Sequence, residues 1–218
     1  MSESLGYVDS TSEKSLPIWS VNNFLDNTTS NYLKIITLRE ICRRFMDGAD
    51  DRDFLICVNS YDLFPASNNL NYREEDLIVL TSKDHSSERF WHLFRHLHRP
   101  VVLFRAEQVK IPMYSFESDA ALRINSLSLH SPVSFSLQGT IGALVDLFSG
   151  KLLAQRSNER NSDALANIRN VVETAHLIED HRTPPGVREF AIEQLEAIMI
   201  KQEKINDKLG IQNPRFRM

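Results

Sequence analysis

Two cysteines are all the chain has, Cys42 in a helical pattern and Cys57 in a strand pattern. That rules out a disulfide framework and fits two buried thiols in a reducing compartment. Glycine is scarce, with seven in 218 residues and none clustered. There is accordingly no Gly-rich phosphate loop and no G-x-S-x-G elbow, and H-E-x-x-H and C-x-x-C are missing as well. Those absences remove the commonest hydrolase and transferase signatures, and the chain reads as a protein that is not an enzyme. No apolar run approaches the roughly 18 residues of a membrane span. An excess of positive charge is also lacking: the net charge is −4 and the pI is near 6.0. Direct, wholesale binding to nucleic acid is therefore not expected.

What remains is ordinary for a soluble globular protein, with 42% hydrophobic and 25% charged residues. The first twenty residues, polar and serine-rich, carry neither a basic n-region nor an apolar h-region and read as a disordered leader. With no signal peptide or span, the expected location is cytoplasmic. Residues 21–153 form the expected core domain, residues 154–210 a helical hairpin and residues 211–218 a frayed tail.

Within the core, apolar residues recur at helical spacing from Thr28 to Met46, capped by Asn27, Thr28 and Thr29 and stopped at Gly48. Phe54–Val58 and Asp76–Thr81 read as buried strands, the second unbroken in hydrophobicity and so central. A loop rich in Asn and Ser, from Pro65 to Tyr72, separates them. Residues 86–98 read as a helix closed by Arg99-Pro100, and Val101–Arg105 as the next strand. Strand, helix, strand in that order resembles a βαβ unit, so part of the sheet is expected to be parallel.

From Leu122 to Gln138 the period is two, with a phase slip near Asn125 that signals a bulge. After Gly139 the period becomes helical through Phe148. This is the most apolar stretch, and the other elements are expected to pack on it. Thr183-Pro184-Pro185-Gly186 breaks the hairpin, and Pro185 is placed as a first helical residue. The long helix from Val187 to Leu209 is amphipathic, which suits either covering the sheet or pairing two copies into a homodimer. The sum is an α/β or α+β protein: a mixed sheet with flanking helices and a C-terminal helical hairpin.

Two basic groups stand out. On the helix 86–98, Phe90, Leu93, Phe94 and Leu97 make the buried stripe, and Arg89, His92, His96 and Arg99 make a second one. Trp91, Arg95 and His98 lie along a third. Guanidinium groups beside a planar side chain suit a ligand with phosphates and a base: arginine pairs with phosphate or a guanine edge, and Trp91 stacks. A charged stripe is also what a solvated helix face looks like. His92 and His96 have i, i+4 metal spacing, but no third ligand lies close in sequence. The other group, Arg43, Arg44 and Asp47, ends the first long helix. Arg44-x-x-Asp47 has the R-x-x-D form of some cyclic dinucleotide sites, with the carboxylate accepting from base N–H groups. Arg73/Asp76 and Arg160/Asp163 match it too, and basic residues near a helix C-terminus also satisfy its dipole.

ERFWHLFRHLHRPVVLF (88–104) and RINSLSLHSPVSFSLQGTIGALVDLFSG (123–150) resemble a group of cyanobacterial proteins that includes a receptor for the second messenger cyclic di-GMP. The likeness extends over about residues 30–210. It implies a non-enzymatic sensor that binds cyclic di-GMP and signals to a protein partner, a transcription factor. The PilZ combination of R-x-x-x-R followed by D/N-x-S-x-x-G is absent, as is GGDEF, so no family residue is carried over. The expected site therefore rests on Arg43, Arg44, Asp47, Arg89, Trp91, His92, Arg95 and Arg99, converging on one hollow and needing no cofactor. Binding would order a loop such as 64–75. The alternative is a structural or adaptor protein that acts through protein contacts with no small ligand.

Overall fold

A single 29-residue helix organises the molecule. The computed structural model describes residues 4–12, 14–58, 72–81, 85–107, 109–114, 121–130, 132–148 and 173–218. Helix α1 runs from Ile18 to Met46, ten residues longer at its start than the apolar period indicated, and spans about 43 Å. Pro17 sets the extended entry, Asp47 closes the last turn on the carbonyls of Arg43 and Arg44, and Gly48 leaves with φ +92°. Residues 30–39 of α1 are all buried, including Asn31, Lys34 and Arg39. A helix enclosed on every side is a core element. It, and not the hairpin-and-helix stretch 122–150, is the packing centre.

Sheet A has the order β6 (Arg123–Ser128), β7 (Val133–Thr140), β1 (Leu5–Ser12), β8 (Ile211–Arg217). The expected disordered leader thus supplies an inner strand, and the expected frayed tail supplies an edge strand. Asp9 and Arg217 pair across β1 and β8 at 2.5 Å, fastening that edge. The β6–β7 hairpin is present with its irregularity between Ile124 and Ser126. Ile124 and Leu127 share the inward face of Leu137 and Phe135, yet β6 is the edge strand and both remain exposed. Phe135 meets α1 through Phe24, with ring centroids 5.0 Å apart.

Gly139 lets Tyr32 of α1 touch the sheet, and the Tyr32 hydroxyl accepts the Thr140 N–H at 2.6 Å. A Cβ on Gly139 would lie 2.6 Å from that oxygen and 2.9 Å from Cζ, and the fully buried ring has nowhere to go. Gly139→Ala should therefore cost about 1–3 kcal/mol, read as a lower urea midpoint with unchanged slope.

Sheet B has the order β3 (Leu77–Val79), β2 (Phe54–Cys57), β4 (Val102–Ala106), β5 (Val109–Pro112). Helix α2 (His85–His96) crosses from β3 to β4. The two strands run in the same direction but do not touch: β2 lies between them, antiparallel to both. Every described strand pair is antiparallel, so the expected parallel pairing is replaced by a split crossover, and the fold is α+β. The stretch containing β3 is an edge strand, not a central one. Phe54 packs on Phe45 of α1 at 4.8 Å, which ties this sheet to the C-terminal end of α1.

Three helices complete the core: α3 (Ile141–Phe148), α4 (Glu173–Ile178) and α5 (Pro185–Leu209). Pro185 opens α5 and Gly210, in the left-handed region, closes it. Val187, Ala191, Leu195, Ile198 and Met199 of α5 are buried, and Gln202 bonds Asn31 and Thr28 of α1. The apolar stripe of α5 is thus spent on α1 within one chain. No described helix is long and apolar enough to cross a membrane.

Candidate functional site

Arg39, Arg43 and Asp47 stand four residues apart on α1 and therefore share one face. Opposite them, β7 ends at Thr140 and α3 starts at Ile141-Gly142. With Ser4, Met46, Glu173 and Leu177 these residues line a cleft of about 560 Å³, a volume within the usual range for small-molecule sites.

A polar network forms its floor. Arg39, only 2% exposed, donates to the Thr174 hydroxyl at 3.0 Å and pairs with Asp146 at 3.5 Å and Glu173 at 3.2 Å. Asp146, fully buried, accepts the backbone N–H groups of Glu173 (3.1 Å) and Thr174 (3.0 Å) and the Thr174 hydroxyl. It thereby caps the start of α4 from α3. Desolvation raises the Asp146 pKa, while Thr174 and Arg39 pull the other way. Gly142 permits this packing, since a Cβ there would fall 2.0 Å from Glu173 Oε2 and 2.8 Å from Arg39 Nη2.

Above the floor, Arg43 is about one third exposed; burial draws its pKa down and Glu173 opposes that. Thr140 Oγ1, in contrast, is buried at the entry to α3 without a hydrogen-bond partner among the described residues. The first amide of α3, that of Ile141, is already spent on the Ser4 carbonyl at 3.0 Å. Arg43, above the paired Arg39, and an unspent hydroxyl thus border the same space. Nearby Cys42 is no nucleophile, because burial pushes its thiol up to about 12.

The sequence-derived site does not assemble as a unit. Arg43 and Asp47 line the cleft, but Arg44 turns away, bonded to Glu40 at 3.0 Å and lying over the Phe104 ring at 4.7 Å. Trp91 is a core residue, 1% exposed and stacked on Phe190 of α5 at 6.4 Å, so it is not available to stack on a base. Arg95 is held by Gln194 (3.1 Å) and Glu193 (3.5 Å), and Arg99 by Asp26 at 2.5 Å.

Asp26 precedes Arg44 by eighteen helical residues, about 27 Å along α1, so Arg99 and the Arg43/Arg44 group lie at distant points of the molecule. Arg89, His92 and His96 are exposed on α2, the two imidazoles with centroids 4.3 Å apart. Among the described residues no group of three or more His, Cys, Asp or Glu is placed to hold a metal. Residues 64–71 of the expected loop 64–75, Arg160/Asp163 and residues 154–172 of the expected helical hairpin lie outside the described residues.

Arg39, Thr140, Gly142, Asp146 and Glu173 were not foreseen. Arg39 alone left a signal, its four-residue spacing from Arg43; the others meet only through the fold. A second hollow of about 660 Å³, between α4 and α5, is bordered by Glu179, Pro185, Arg188, Glu189, Ile192 and Glu193. Three acids against one arginine make it unsuited to an anion. No family model, curated protein or solved structure matches the chain.

Proposed function

We propose that the protein is a non-enzymatic receptor for a small anionic nucleotide, bound in the cleft between α1, the start of α3 and α4. Cyclic di-GMP is the ligand that the cyanobacterial resemblance singles out. The observation that carries the reading is the buried, unpartnered Thr140 hydroxyl beside Arg43, at a helix start, in a cleft large enough for a nucleotide. Arg43 and the Thr140 hydroxyl meet a phosphate, and Asp47 accepts from a base N–H.

Glu173 acts against such a ligand. Its carboxylate is 61% exposed and already sits on Arg39, so an incoming phosphate competes with it. Displacing Glu173 loosens the first turn of α4, and that shift in population is what a protein partner, such as a transcription factor, would sense.

The test is thermal unfolding with a panel of cyclic di- and mononucleotides. Ligand at a hundred times its dissociation constant adds about 2.7 kcal/mol of apparent stability. Arg43→Ala should weaken binding tenfold or more, about 1.4 kcal/mol. Glu173→Gln should tighten it. No shift with any nucleotide would leave the adaptor reading, with the exposed basic face of α2 as its contact surface.

A further inference from the structure

Lys34 sits in the most enclosed part of α1, 4% exposed, and its ammonium donates to a single acceptor, the Arg95 carbonyl at 2.8 Å. No carboxylate pairs with it among the described residues. An ammonium has three donors, and burying one uncompensated is costly. Another cation, Lys201 of α5, lies close enough to repel it.

Beside it lies a void of about 60 Å³ bounded by Asn31, Lys34, Phe94, Arg95, Gln194 and Lys201, with Ala197 and Ile198. One water needs about 10–15 Å³ of such space, so the void admits a group of about three heavy atoms. Its walls hold three cationic side chains, of which Arg95 is paired with Glu193 at 3.5 Å. Asn31, on the same wall, spends its Nδ2 on Gln202 and keeps a buried Oδ1 with no donor. The place has spare positive charge, an acceptor in want of an N–H, and room for a carboxylate.

We propose that Lys34 is reversibly carbamylated by carbon dioxide, the carbamate lying between Lys201 and Arg95 with its N–H toward Asn31 Oδ1. The amine lone pair attacks the carbon of CO₂ and forms the C–N bond. One C–O π pair moves onto oxygen, and the displaced amine proton leaves to water: R–NH₂ + CO₂ → R–NH–COO⁻ + H⁺. No other reagent is needed. The reaction requires neutral amine, and burial, aided by Lys201, draws the Lys34 pKa down to about 8. A reactive fraction is thus present near neutral pH. The product exchanges a buried cation that has no carboxylate partner among the described residues for an anion beside Lys201, with Arg95, shared with Glu193, on its other side. This inference is independent of the nucleotide cleft.

The experiment equilibrates the full chain with ¹³C-bicarbonate, traps carbamate by alkylation with a trialkyloxonium salt, and maps the label by peptide mass spectrometry. Label is expected on the peptide containing Lys34. It should disappear in Lys34→Met and in Lys34→Arg, which retains the cation, and fall severalfold in Lys201→Met. Bicarbonate should raise the melting temperature of the parent protein only. An unlabelled Lys34 in the folded parent protein overturns the proposal. So does equal stabilisation by bicarbonate and chloride in both parent and Lys34→Met, which would mark non-covalent anion binding.

Discussion

Arg39→Met should cost about 3–5 kcal/mol of stability, the usual consequence of removing one partner from a buried ion pair. Arg39 and Asp146 are 2% and 0% exposed, and removing the guanidinium leaves a buried carboxylate facing Thr174 with no cation. The α4 cap weakens with it, because the same carboxylate holds the first two amides of that helix.

The pH dependence has a definite sign. The Asp146 pKa is already raised by burial, and losing Arg39 raises it further. An acid whose folded pKa exceeds its unfolded one binds its proton more readily in the native state. Stability then rises as pH falls through the raised value toward the ordinary carboxylate range. The deficit of Arg39→Met should therefore narrow on acidification, measured by urea midpoints at a series of pH values. Adding Asp146→Leu should restore much of the loss, since removing both charges avoids the stranded one. Arg39 is thus unsuitable for probing ligand contacts, and Arg43→Ala serves that purpose.

Trp91→Ala should cost about 3–5 kcal/mol. The indole lies at 5.2 Å from Phe90, 5.7 Å from Phe94 and 6.4 Å from Phe190, joining α2 to α5. Its Nε1 has no partner among the described residues, so Trp91→Phe keeps a ring, drops an unsatisfied donor and should cost much less. Guanidinium unfolding of both variants gives the comparison. A base-stacking role for Trp91 predicts the reverse pattern: little change in stability and a loss confined to nucleotide affinity.

Much of the secondary structure was legible because it follows local period: the bulged β6–β7 hairpin, the α3 switch after Gly139, and Pro185 opening α5. Trp91 was misplaced because a single apolar stripe was sought on α2. The helix is packed against both sheet B and α5, so its buried arc is wide enough to take in Trp91 at i+1 as well as Phe94 at i+4. The first ten residues of α1 hid because Asn27, Thr28 and Thr29 look like a helix start. They lie inside the helix instead: Asn27 and Thr29 bond back to the Asn23 and Leu25 carbonyls and Thr28 accepts from Gln202, while Ile18 and Trp19 are exposed and blur the apolar rhythm.

β1 was unreadable because it buries Ser10 and Ser12 beside Val8. Pro214 likewise disguised β8, although an edge strand tolerates proline. As for the cleft, Arg43 and Asp47 announced themselves by charge. Thr140, Gly142 and Glu173 carry no motif, and their proximity is a product of tertiary structure.

β1 comprises residues 5–12, and its neighbours are residues 133–140 and 211–217. During translation its first partner emerges only after more than a hundred further residues have been made, and its second only after about eighty more. The nascent segment must wait with both edges open, in a state prone to wrong pairings. A circular permutant that tethers β8 to β1 by a short loop converts the most distant contact of the sheet into a local one, and should fold faster at similar stability.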